Sequence, residues 1–114
     1  MVSAFLKLEG NTVRNRIWSF LIIHSEFDYS MKDIAKFSEV SYTALKEIWK
    51  VFTERNIVTH TRNIGKAKMF KLNRENPNVE KFIEYYWSVV NSEIEEARKA
   101  EGTDEDIIIL SRTN

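Results

Sequence analysis

The stretch DIAKFSEVSYTALKEIW, Asp33 to Trp49, decides the fold. Ile34 and Ala35, with Met31 or Phe37, mark the inner face of a short helix from Met31 to Phe37. Ser30 and Asp33 resemble a capping box with a shortened acid that opens it. Ser38-Glu39-Val40 makes a turn, and Ser41 is a good N-cap for a second helix from Tyr42 to about Glu54. The second helix divides sharply. Ala44, Leu45, Ile48, Val51 and Phe52 share one side, while Tyr42, Thr43, Lys46, Lys50 and Thr53 lie opposite, with Glu47 toward the edge of that outer face.

Upstream, Asn11 and Thr12 can cap a helix running to about His24, with Val13, Ile17, Phe20, Leu21 and His24 on one face. Trp18 and Ile22 point almost the other way, so they need a second partner. EFDYS is a short extended link. Downstream, Arg55-Asn56 closes the helix, and IVTHTR and AKMFKL flank NIGK, a β-hairpin whose turn uses Gly65 for a positive φ. Asn76 as N-cap and Pro77 at the first helical position start a last helix reaching about Lys99 or Ala100. Its stripe is Val79, Ile83, Tyr86, Val90, Ile94 and Ala97, widened by Phe82, Val89 and Trp87. Such a stripe is too wide for short neighbouring elements to cover. In the tail, IIIL either pairs as an edge strand, packs on a partner or frays.

The 114 residues are expected to form one soluble, intracellular (cytoplasmic) unit divided into a core at 1–75, a helix at 76–100 and an acidic and apolar tail at 101–114. Without cysteine, disulfides, thiolate metal sites and cysteine nucleophiles are excluded. MVSAFLKLEG is interrupted by Lys7 and Glu9 and does not read as a signal peptide, and no run approaches transmembrane length. Net charge is zero but unevenly spread: residues 11–75 hold twelve Lys and Arg against seven Asp and Glu, residues 76–114 four against nine. A basic front and an acidic back point to a polyanionic partner for the front alone.

Helix, tight turn, helix and hairpin is the winged helix-turn-helix arrangement. The major groove of DNA admits one α-helix, and residues reaching base edges lie on its outward face near its N-terminus, as Tyr42, Thr43 and Lys46 do. Ser41 adds a hydroxyl beside the helix N-terminus, where backbone N–H groups meet a phosphate.

From Thr12 to Lys99 the chain resembles winged-helix transcription regulators of the ArsR/MarR-like type, especially small archaeal ones. The likeness rests on I-A-x-x-x-x-V-S-x-x-A-L, a strand after the second helix, a wing with a Gly turn and a long last helix. It departs at Glu39 and Asn56, where such chains often carry Gly, and it lacks the cysteines of metal-sensing members. The resemblance implies contacts with double-stranded DNA from Ser41, Tyr42, Thr43, Lys46 and Lys50 on the second helix. From the wing it implies Arg62, Asn63, Lys66 and Lys68.

The expected whole is therefore mainly α with a small β-hairpin, a winged helix-turn-helix with a long C-terminal dimerisation helix. A homodimer joined through Trp18, Ile22, Phe82, Tyr86, Val89 and Val90 would set two recognition helices in successive major grooves. Tyr42 either reads a base or folds onto the hairpin, and Trp49 is expected as a lid over the hairpin. Lys50 and Lys68 either meet DNA or solubilise their faces. His24 and His60 lack ligand partners at metal spacing, so no metal or cofactor is expected. No nucleophile motif or glycine-rich phosphate loop suggests an enzyme. The alternative is a winged helix that joins a larger complex by protein contacts alone.

Overall fold

The computed structural model describes the backbone of residues 3–113 and the side chains of residues 3–101. In chain order the elements are α1 (Ala4–Glu9), α2 (Val13–Ile23), β1 (Tyr29–Ser30), α3 (Met31–Phe37), α4 (Tyr42–Glu54), β2 (Val58–Ile64), β3 (Ala67–Leu72) and α5 (Pro77–Thr113). The sheet is antiparallel with strand order β1-β3-β2.

The helix starts follow the capping residues. Ser3, Thr12, Ser30 and Ser41 each accept the backbone N–H three residues on, at 3.1–3.2 Å. Asn76 caps α5 by accepting the N–H of Asn78 at 2.9 Å, with Pro77 in the first turn where no donor is needed. The two positions where the family resemblance leads one to expect glycine, Glu39 and Asn56, both adopt positive φ, 58° and 54°. The backbone geometry of the turn and of the α4–β2 corner is thus kept while the favoured residue is not.

Two elements were not expected from the sequence. The helix α1 is closed by Gly10 at φ 107°, and its Phe5 lies edge-on to Phe82 at 5.7 Å and against Tyr86 at 5.0 Å. Its signals were the Ser3 cap and the terminal Gly10, but six residues are too few to show a period. The extended link is also more than a link: Tyr29 pairs with Phe70 and Ser30 with Met69, adding β1 to the hairpin. A bulge between His60 and Arg62 re-phases β2, and both Met69 and Phe70 of β3 are buried, which is why the hairpin's alternation looks imperfect.

The core runs from α1 through α2 to α5 and the sheet, centred on Ile17, Leu21, Ile34, Leu45, Phe52, Leu72 and Val79. Trp18, Ile22 and Tyr86, expected at a dimer interface, belong to this core. Trp18 stands between Phe52 at 5.1 Å and Phe82 at 4.2 Å, and Tyr86 shares a buried 2.8 Å hydrogen bond with Ser19. The second apolar face of α2 therefore finds its partner within the chain. Phe82, Val89 and Val90 are half-buried.

The last helix does not stop near Ala100: its backbone continues to Thr113, so IIIL is helical and not an edge strand. Four consecutive apolar residues carry no period of their own, and the helix around them decides their conformation. The side chains of that run lie outside the described residues. A helix of 37 residues is about 55 Å long, and the molecule measures 67 × 28 × 23 Å. Most of α5 beyond Val90 therefore projects from the core.

Candidate nucleic-acid interface

Helix α4 buries Leu45, Trp49 and Phe52 and turns Tyr42, Thr43, Lys46, Glu47 and Lys50 to solvent. Trp49 meets Phe70 of β3 edge-on at 5.4 Å, so it is a lid over the hairpin and fixes the orientation of α4 against the wing. Thr53 Oγ1 donates to the carbonyl of Trp49 at 2.8 Å, which ties down the last turn. The outward face is thereby held by three buried aromatic or aliphatic anchors while its polar side chains stay free to meet a ligand.

The expected contact residues are not equivalent. Lys46 Nζ lies 5.2 Å from the centre of the Tyr42 ring, so these two form a cation–π pair one helical turn apart. Tyr42 is 41% exposed and lines a cleft with the wing residues Lys66, Ala67, Lys68 and Phe70. Ser41 Oγ is engaged as an acceptor at the cap, which leaves its hydroxyl hydrogen as a donor. Glu47 is exposed and has no partner among the described residues.

On the wing, Arg62 is exposed but engaged by a carboxylate of the same chain. Its Nε and Nη2 donate to the two carboxylate oxygens of Asp28 at 2.9 and 3.1 Å, and the Thr61 hydroxyl donates to the same carboxylate. These donors hold the Asp28 carboxyl at a pKa of about 2, with the Arg62 hydrogen bond the larger cause and the Thr61 hydroxyl the next. Asn63 Oδ1 sits 2.6 Å from His60 Nε2. Lys66 and Lys68 have no partner among the described residues and flank the turn at Gly65, whose φ is 59°.

A cleft of about 550 Å³ opens between the start of α3, the first turn of α4 and the wing. Lys32, Lys66 and Lys68 line it together with Tyr42, above apolar lining from Met31 and Phe70. Lys32 was not singled out in the sequence, because nothing local links it to residues 34 and 36 positions away. Asp28 was missed for the same reason. No group of three or more metal-binding side chains occurs among the described residues. No described helix is long and apolar enough to cross a membrane.

No family model matches the chain, and no curated protein matches its sequence. The structure is nevertheless similar to several solved ones. Wild-type ZitR of Lactococcus lactis in complex with DNA is 18% identical over 86% of this chain and 68% of that one, with a TM-score of 0.55. The adhesin competence repressor AdcR from Streptococcus pyogenes is 16% identical over 87% and 78%, with a TM-score of 0.57. MepR, a transcription regulator of the Staphylococcus aureus multidrug efflux pump MepA, is 15% identical over 97% and 87%, with a TM-score of 0.55. At these identities the likeness is one of fold, the winged helix-turn-helix, which the chain shares over nearly its whole length.

Proposed function

We propose that the protein is a transcriptional regulator that binds double-stranded DNA sequence-specifically as a cytoplasmic homodimer. The observation that carries this reading is the outward face of α4, polar, cationic and uncovered, standing beside a wing whose lysines have no internal partner. The shape likeness to ZitR in complex with DNA supports the same reading. Lys46 and Lys50 would serve phosphates or guanine, and Tyr42 and Thr43 would offer hydroxyls or contact a thymine methyl. The negative balance of the sequence falls in α5 and not in the segment that carries this face.

The dimer interface of this reading is revised from the sequence-based one. Since Trp18, Ile22 and Tyr86 are buried in the core, the second copy is assigned instead to Leu8 with Val89, Val90 and Ile94. Leu8 is 65% and Ile94 57% exposed. Leu8 and Val89 border one cleft beside the Lys7–Glu93 ion pair.

Selection of bound sites from random duplex DNA tests the function. Enrichment of a two-fold-related motif is expected, and Lys46→Ala should weaken binding to it by about tenfold or more, with a smaller effect on unrelated duplex. Absence of any enrichment at low salt would transfer the fold to protein recognition. Ile23 and Phe37, each 52% exposed and bordering one cleft, are the observation favouring that second reading.

A further inference from the structure

The lysine-lined cleft has a feature that ordinary solvated lysines lack. Lys32, Lys66 and Lys68 line one space, no carboxylate shares it, and none of the three has a partner among the described residues. Like charges gathered without a counter-charge repel, and an anion placed between them relieves that repulsion.

The two sides of the cleft are distant in sequence but mechanically joined. Lys32 is the second residue of α3, which follows β1 directly, and Lys66 and Lys68 sit near the tip of the β2–β3 hairpin. Asp28, immediately before β1, reaches past β3 to grip Arg62 of β2 in a two-pronged pair and to accept the Thr61 hydroxyl at the bulge. That carboxylate is only 14% exposed, whereas the arginine is 62% exposed. A fork with both prongs made fixes an angle as well as a distance. The pair therefore sets where the hairpin stands relative to the start of α3.

We infer that this cleft is a track for the sugar–phosphate backbone of duplex DNA, in which Lys32 is a contact residue opposite Lys66 and Lys68, and Arg62 is a positioning residue that acts through Asp28. The inference rests on the DNA-binding reading and refines it. Apolar lining from Met31 and Phe70 suits deoxyribose, and ammonium groups on both sides suit successive phosphates. Arg62, which with Lys66 the family resemblance would place in the minor groove or on its phosphates, instead holds the wing for the lysines.

The test is the salt dependence of binding to a mixed-sequence duplex, read by fluorescence anisotropy with the full chain. Lys32→Ala should make the log–log slope shallower by about 0.9, as loss of one phosphate contact does, and Lys66→Ala should act alike. Arg62→Ala and Asp28→Ala should each weaken binding and speed amide exchange along β3. The exchanged pair Asp28→Arg with Arg62→Asp should restore most of both, because it rebuilds the fork and leaves net charge unchanged. A Lys32→Ala slope equal to wild type overturns the track. An exchanged pair that binds more weakly than Arg62→Ala shows that Arg62 itself meets phosphate and overturns its positioning role. Wild-type protein that binds no duplex at low salt overturns the DNA-binding reading and the track with it.

Discussion

Glu39 shows how a single residue can be out of keeping with its place while the fold persists. Its φ of 58° puts its Cβ near the following carbonyl, at a cost of about 1–2 kcal/mol that glycine would not incur. Its carbonyl accepts from Arg16 Nη1 at 2.9 Å, a bond to the backbone that no side-chain change removes. Glu39→Gly is therefore expected to raise the unfolding free energy by roughly 1 kcal/mol, or about 4 °C in Tm, part of the gain being offset by the freer unfolded chain. Thermal unfolding followed by circular dichroism checks this; an unchanged or lower Tm would contradict the strain argument. Asn56 at φ 54° needs no such relief, because asparagine tolerates this conformation and its carbonyl already accepts from Asn73 and Asn76. Glu47 is exposed beside Lys46, and in the proposed complex it would either accept from a cytosine amino group or repel an ill-placed phosphate.

Between elements, the Asp28 clasp is a contact whose strength depends on pH. The folded carboxyl, at about 2, lies below the ordinary value of 3.8, so the folded state favours the charged form. Its contribution to stability is full well above about pH 4, falls from there and is lost as pH drops through about 2, below which both folded and unfolded carboxyls are protonated. Asp28→Asn should accordingly be less stable than wild type near neutrality, and the difference should close between about pH 4 and pH 2. Urea unfolding of both proteins across that range measures it, and a gap that persists unchanged at pH 2 would show that the carboxylate's charge is not what holds the wing. Charged groups also join α1 to α5, through the Lys7–Glu93 ion pair and the Tyr85 hydroxyl on Glu9, while other ties are apolar or neutral. The Trp49–Phe70 contact and the Ser19–Tyr86 bond keep α4 and α5 seated independently of pH.

At the scale of the molecule, the shape is in keeping with the proposed dimer. A compact chain of this length would have a radius of gyration of about 13 Å, against the 18.5 Å found, and the excess comes from α5 projecting past the core. An unsupported helix in water is marginal, and Ile94 stands exposed on the projecting part. A second copy laid along α5 and Leu8 would cover it. Leu8→Glu combined with Ile94→Glu should raise the dimer dissociation constant by roughly 100-fold, by burying unpaired charge at the contact. Both positions are exposed in the single chain, so the fold should be unaffected. Sedimentation equilibrium gives the answer, and a wild-type protein that is monomeric at high concentration would rule the dimer out.

Caps, turns and periodicity are local, and from them the sequence alone determined the order of α2, α3, α4, the hairpin and the start of α5, with Ser41, Asn76 and Gly65 where they act. The outward side of α4 was legible too, because a helix of thirteen residues has enough turns to show two faces. What covers Trp18 and Ile22, by contrast, is a question about elements far apart in the chain. Only packing shows that Phe52 of α4 and Phe82 of α5 close on Trp18 and that Ile22 is buried in the same core. The same holds for the wing. Whether Arg62 reaches outward or back to Asp28, and whether Lys32 shares a cleft with Lys66 and Lys68, depends on distances closed by β1 pairing with β3, which no local pattern encodes.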